Sequence, residues 1–397
     1  MSSSTKMTAL ELRSSIGLSG IFGLRLLGMF VILPVFAIYA ESLPGGSDLT
    51  LVGIAIGAYG LTQAILQIPF GWWSDRIGRK PVVYAGLLIF ALGSFIAALA
   101  PNIYIVILGR VLQGAGAISA AVIAMTADLT RESQRAKAMA MIGSTIGASF
   151  ALSLVASPWL DRVIGVPGIF ALTGLLALGG MLVMWRFIPD VPAAPPVPGR
   201  ALKDFWNVLT DPQLARLNWG IFALHAVLMA LFIVVPFSLR DAGLPLAEHW
   251  KVYLPVMIGS FILMLPPVMQ AGNPLLLRRW FIVAVGLLLA GHVALPWLSS
   301  NILLLSLFLL LFFVPFNVLE AMLPTLTTRL APAHAKGTAI GLYSTIQFFG
   351  TFLGAAAGGY IYKHWGVTGI VVLDAGLLLI WLILALGMRM PQSAAPA

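Results

Sequence analysis

The chain contains no cysteine, so it can form no disulfide, offers no thiolate nucleophile and has no sulfur ligand for a metal. Charge is scarce too: Asp, Glu, Lys and Arg make up 9% of 397 residues, against about 25% in ordinary soluble domains. There is no G-x-x-x-x-G-K-[ST] to cradle a nucleotide, no H-E-x-x-H to hold zinc and no G-x-S-x-G to present a serine nucleophile. No polar stretch is long enough for a nucleotide-hydrolysing domain. These gaps argue against an enzyme, and neither a cofactor nor a metal is expected. Any work the protein does must draw on an ion gradient or on the gradient of its own solute.

What fills the chain is hydrocarbon, since 60% of its residues are hydrophobic. They fall in runs of the length a helix needs to cross about 30 Å of bilayer, and not in short alternating segments, which favours an all-α integral membrane protein over a barrel. Hydropathy places helices at 14–40, 49–73, 81–100, 103–128, 138–160, 166–188, 213–239, 250–272, 280–299, 301–328, 337–361 and 367–389, twelve in all. The first run is too long for a signal-peptide core and is expected to remain as a span. A net charge of +9 could point to nucleic acid, but the basic residues are scattered among short loops and form no single stripe. One set of loops carries Arg76, Arg79, Lys80, Arg131, Lys137, Arg278, Arg279, Arg329 and Arg389; the other carries only Arg162, Arg240, Lys251 and Lys363, beside several acids. By the positive-inside rule both termini are cytoplasmic.

Between the sixth and seventh spans lies the longest break. Its proline-rich start, at 189–199, reads as extended and semi-rigid. Its second part sets Leu202, Phe205, Trp206 and Leu209 on one helical face, with Lys203, Asp204 and Asn207 away from it, the pattern of a short helix lying on the membrane surface. The expected organisation is therefore an N-terminal six-helix half (1–188), a cytoplasmic linker with a short amphipathic helix (189–212) and a C-terminal six-helix half (213–397). A faint repeat agrees: Ala136-Lys137 with Ser144-Thr145-Ile146 recurs about 200 residues on as Ala335-Lys336 with Ser344-Thr345-Ile346.

The densest knot of charge, G-W-W-S-D-R-I-G-R-K from Gly71 to Lys80, turns the chain between the second and third spans. It contains Asp75, Arg76, Gly78, Arg79 and Lys80, and it resembles the signature loop of the major facilitator superfamily, departing from it mainly at Trp73. In the fourth span, G-R-V-L-Q-G-A-G with Arg110 and Gln113 is similar to the superfamily's R-x-x-q-G-x-g element. The stretches R-L-L-G-M-F-V-I-L-P around Arg25, G-I-A-I-G-A-Y-G-L-T-Q-A-I-L-Q-I-P-F, and N-V-L-E-A-M-L-P in the tenth span resemble its drug/proton antiporter subgroup. That resemblance implies a two-half transporter of the inner membrane of a bacterium, a monomer that carries small molecules or drugs outward in exchange for protons by alternating access. It also implies that Asp128 meets Arg79, and that Asp75 sits by the amino end of the eleventh helix, near Gly337 and Thr338. A carboxylate there would meet unsatisfied N–H groups and the positive end of the helix dipole. Antiporters of the family carry a glycine-rich element ending in Gly-Pro in the fifth span; here Gly143, Gly147 and Pro158 are present, but Ser157 replaces the last glycine, and Gly143 and Gly147 read equally well as a packing face.

Ionisable groups inside spans are costly and mark polar paths. Arg25 and Arg110 are two; each could line a cavity or serve as an inter-helix hydrogen-bond hub. Glu320, one turn from Asn317 on the same face, is the expected proton carrier, because a carboxyl kept from water can exchange its charge for a proton. The alternative is a structural ion pair with Arg25. Asp374, nearer a membrane surface, is a poorer candidate. His225 and His292 are expected mainly to pack, although His225 belongs with the polar interior, and Gln63, Gln67 and Gln347 are candidate lining groups. A proton-driven importer of a sugar or metabolite would share all these features, and a non-transporting membrane receptor is the reading from a different class.

Overall fold

The computed structural model describes residues 6–190, 201–298, 301–332 and 334–389, with the backbone alone at 201–204. Residues 191–199 of the proline-rich part of the linker expected to be extended, and the side chains of Leu202, Lys203 and Asp204, lie outside the described residues. Within them the chain is helical and has no strand, and ten segments are long and apolar enough to cross a bilayer.

Helices break where the backbone chemistry requires it. The first segment runs as α1 (Ala9–Phe30) and α2 (Leu33–Ala40). Pro34, in the first turn of α2, has no N–H to give back to the preceding turn, so the ladder lapses at Val31 and Ile32. α1 is opened by a capping box in which Thr8 accepts from the Glu11 N–H and Glu11 accepts from the Thr8 N–H. α3 (Leu49–Ile77) and α4 (Arg79–Ala98) follow, and the fourth segment splits into α5 (Ile103–Ala115) and α6 (Ser119–Asp128) at Gly116.

Two elements are far too long for one crossing. α7 (Glu132–Phe187) has 56 residues and α13 (Lys336–Leu386) has 51, about 84 and 77 Å if straight at 1.5 Å per residue. Each is interrupted by a glycine with positive φ, Gly165 at 68° and Gly366 at 58°, a conformation that costs an L side chain and lets the chain turn. The hydropathy boundaries at 160–166 and 361–367 fall at these two glycines. Between the long elements lie α8 (Ala201–Thr210), α9 (Pro212–Asp241), α10 (Trp250–Met269), α11 (Pro274–Leu298) and α12 (Ile302–Leu330).

The chain divides into two compact units, one of Met1–Ser47 with Ala58–Val197, the other of Asp48–Gly57 with Pro198–Ala397. In the first, α1 packs along α7, and α4 against α5 and α7. In the second, α9 packs along α13, while α12 is flanked by α10 and α11. α9 is buried without a break from Ala223 to Phe237, as expected of a helix that is apolar all round. The second unit also includes Asp48 and the first nine residues of α3.

Small residues let these helices approach, but not where their spacing alone predicts it. A side chain added at Gly143 or Gly147 would meet nothing within 4 Å, so no close approach is made there. In the same helix the contact with α1 runs instead through Ser149 and Ser153, whose hydroxyls point to the carbonyls of Gly23 (2.9 Å) and Leu27 (3.5 Å), with Ser157 and Pro158 buried one turn further on. A close small-residue seam lies in the second unit, where Gly350, Gly354 and Gly358 of α13 stack on Phe222, Ala226 and Ala230 of α9. α8 lies against α9 and α13. Val208 is its buried member, Phe205 and Leu209 are half-buried and Trp206 is 55% exposed. The helix thus turns Val208 to the bundle and Trp206 away from it, where the periodicity put Trp206 with Phe205 and Leu209.

Candidate functional site

In the first unit, Arg25 rises from α1 and is 3% exposed. Its guanidinium donates to the Ser119 hydroxyl at 2.8 Å and to Gln63 Oε1, and Gln63 in turn donates to Gln67 at 3.0 Å. Arg110, 1% exposed on α5, donates to Gln113 at 2.8 Å; Gln113 donates to Ser94, which also receives Thr173 at 3.3 Å. The ring of Tyr59 lies between the two guanidiniums, 5.6 Å from Arg25 and 5.0 Å from Arg110. A π-face and neutral oxygens thus receive two cations away from water. Both arginines are hubs joining α1, α3, α4, α5 and α6, in packed protein. Tyr59 and Ser119 were not singled out from the sequence, although Tyr59 stands one turn before Gln63 on the same helix.

In the second unit the polar cluster gathers around Glu320. Its Oε2 lies 4.0 Å from His225 Nε2, and 26% of its side chain is exposed. His225 Nδ1 faces the Ile221 carbonyl at 3.3 Å; a carbonyl only accepts, so Nδ1 carries the hydrogen and Nε2 accepts the Gln347 amide at 2.8 Å. Phe316 tilts against the imidazole at 6.1 Å. Glu320 on α12, His225 on α9 and Gln347 on α13 therefore meet, bringing a carboxyl, a base and a neutral donor together in an oily surround. Asn317 leaves this group: its amide donates to Ser260 of α10 at 3.0 Å, because a three-residue step on a crowded helix reaches a different neighbour. A cavity of about 240 Å³ opens beyond this cluster among α10, α11 and α12, bounded by Ala321, Met322, Thr325 and Arg329.

At the turn between α3 and α4, Gly78 has φ of 98° and begins α4. Arg79 then gathers the loop: it pairs with Asp75, donates to Asp128 at 3.1 Å and to Ser74 at 2.8 Å. Lys80 pairs with Asp190 at 3.1 Å, and Arg76 lies over the Trp72 ring at 3.7 Å. A Cβ added at Gly71 would meet Ala120 at ordinary contact distance, so no close approach requires glycine there. Gly337 and Thr338 lie in the first turn of α13. Near this loop's end of the unit, Arg131 also donates twice to the buried carboxylate of Glu11, at 2.8 and 3.0 Å, fastening the start of α7 to α1.

Ten long apolar segments, buried arginines held by neutral partners and a carboxyl–imidazole cluster in a helical interior define a polytopic membrane protein of the transporter class. A sequence model described as Major Facilitator Superfamily matches residues 18–355 and again 275–397. The inner membrane transport protein YajR of Escherichia coli strain K12 is 44% identical over 388 residues, 97% of this chain and 85% of its own length. The multidrug resistance protein MdtH of Cronobacter sakazakii is 26% identical over 375 residues, 90% of this chain and 91% of its own. The crystal structure of a D-xylose-proton symporter superposes with a TM-score of 0.75 at 12% identity, covering 97% of this chain and 99% of that one. The chain belongs to the major facilitator superfamily, and it is a transporter and not an enzyme.

Proposed function

We propose that the protein is a proton-coupled exporter of small molecules or drugs, crossing the bacterial inner membrane twelve times with both termini in the cytoplasm. The reading rests above all on the cluster of Glu320, His225 and Gln347, where a buried carboxyl oxygen, on a side chain 26% exposed, stands 4.0 Å from an imidazole inside the second unit. In this mechanism Glu320 takes a proton when the polar interior faces the outside and gives it up when that interior faces the cytoplasm. His225, held in one tautomer by the Ile221 carbonyl, provides the neighbouring base, and Gln347 fixes its ring. Arg25, Arg110 and Gln113 hold the helices of the first unit in register, and the Gly71–Lys80 loop, with Asp128, controls which side is open. The outward direction is supported by similarity to a multidrug resistance protein; twelve crossings follow if α7 and α13 each cross twice about Gly165 and Gly366.

The test is transport by the purified full-length protein in liposomes with an imposed pH gradient, scanned across cationic, neutral and anionic compounds. Solute movement opposite to proton movement supports export; solute and protons moving together would establish the importer instead.

A further inference from the structure

The second unit buries another titratable pair, which the transport reading does not use. His292 on α11 and Asp374, eight residues beyond Gly366 on α13, bring Nε2 and Oδ2 to 3.6 Å, and both side chains are wholly shielded from solvent. The sequence placed Asp374 near a membrane surface and His292 as a packing residue; the fold makes them partners. His292 Nδ1 lies 2.8 Å from the Leu288 carbonyl, which can only accept, so Nδ1 carries a hydrogen and Nε2 is left facing the carboxyl. Among the described residues, neither Nε2 nor either carboxyl oxygen has a hydrogen-bond partner. From α12 the rings of Phe308 and Phe312 close over the imidazole edge-on, at 5.8 and 5.5 Å. Among the described residues no charged or titratable side chain of α9, α10, α12 or α13 other than Asp374 is in ion-pair contact with His292, and none other than His292 is so with Asp374.

Charge counting fixes what such a pair must hold. With no proton at the junction, an imidazole lone pair faces a carboxylate and a net charge of −1 is buried. With two, imidazolium faces a carboxylic acid and the net charge is +1. With one, the pair is neutral, whether written as imidazolium with carboxylate or imidazole with carboxylic acid. A net charge away from water costs several kcal/mol, more than any contact here returns. We propose that His292 and Asp374 bind one proton between them, forming a second proton site in the C-terminal part of the chain, separate from Glu320, that stays loaded and clamps α11 to the last segment of α13.

The test uses the full-length protein and does not depend on the transport reading. Above about pH 7 an unfolded chain keeps neither proton, histidine and aspartate having ordinary values near 6.5 and 3.9. The folded pair keeps one, so stability falls as pH rises, by about tenfold in the unfolding equilibrium per pH unit. Asp374→Asn supplies a permanent N–H to Nε2 and removes that exchange. The unfolding midpoint of the wild type should therefore decline from pH 7 to 9 relative to Asp374→Asn, and a difference that is flat with pH would overturn the proposal. The double variant H292L/D374L, which puts an apolar pair in the same space, should likewise lose the decline and serves if the asparagine variant fails to fold. Because the site stays loaded, folded Asp374→Asn should keep pH-driven transport within about twofold of wild type. A folded variant that lost it would overturn the claim that this proton is not exchanged. If the wild type moves no solute at all, the Glu320 reading falls and the unfolding comparison still decides this one.

Discussion

Asp48 and Lys363, 2.9 Å apart, form an ion pair in the second unit, outside the hydrocarbon-length part of α3. The hydrogen bond from the Lys363 ammonium, aided by the Thr50 N–H, holds the Asp48 carboxyl below the usual carboxylate range. A folded value that is depressed adds stability above the unfolded value, near pH 4, and that stability is lost as pH falls through the folded value. Lys363→Met should lower the thermal midpoint slightly at pH 7, because exposed pairs contribute only about 0.2–1 kcal/mol, and both partners are more than a third exposed. At pH 2 to 3 the difference should shrink towards zero, as thermal unfolding in detergent at the two pH values will read. Deep in the first unit the stakes are higher. Ser119→Ala removes the acceptor of one buried Arg25 N–H, and a loss of about 1–3 kcal/mol is expected in the same assay.

The seam between α9 and α13 shows how an element is held without a hydrophobic driving force, since lipid tails are as apolar as the side chains they would replace. Gly354 sits on the Ala226 backbone, Gly350 on Phe222 and Gly358 on Ala230, so dispersion between close backbones does the holding. Gly354→Leu has no space to enter and should cost more than about 3 kcal/mol or abolish folded expression, whereas Gly143→Leu should be tolerated; fluorescence-detected size exclusion separates these outcomes. The pair also marks the limit of reading from sequence. Gly143 and Gly147 have the same four-residue spacing as Gly350 and Gly354, and spacing does not say whether another helix lies opposite. Hydropathy found the apolar segments, and its breaks at 160–166 and 361–367 contain Gly165 and Gly366, because solvent chemistry is local. The contact between Asp128 and Arg79 was expected only through family resemblance. The partners of Glu320 and Asp374 were hidden because they sit on helices about 95 and 80 residues away, and which apolar helix lies beside which is a property of the packed chain.

For the molecule as a whole, the proposed cycle needs the polar interior to open on one side at a time, and the proposal puts the bias of that choice in the loop around Arg79. Asp75→Asn takes away one of the two carboxylates that Arg79 engages. On the present account it shifts the population towards the inward-open state, seen as faster labelling of single cysteines placed on the cytoplasmic half of α12, in a protein that has no cysteine of its own to interfere. Unchanged labelling would remove the loop from the switching mechanism. The central claim, that Glu320 carries the coupled proton, has a more direct test. Wild-type and Glu320→Gln protein are reconstituted side by side, a pH gradient is imposed, and solute and proton movements are followed together. The account predicts that the wild type moves solute against protons, while the glutamine variant, equally folded, loses gradient-driven movement at least tenfold. Retention of full coupling by Glu320→Gln would contradict it.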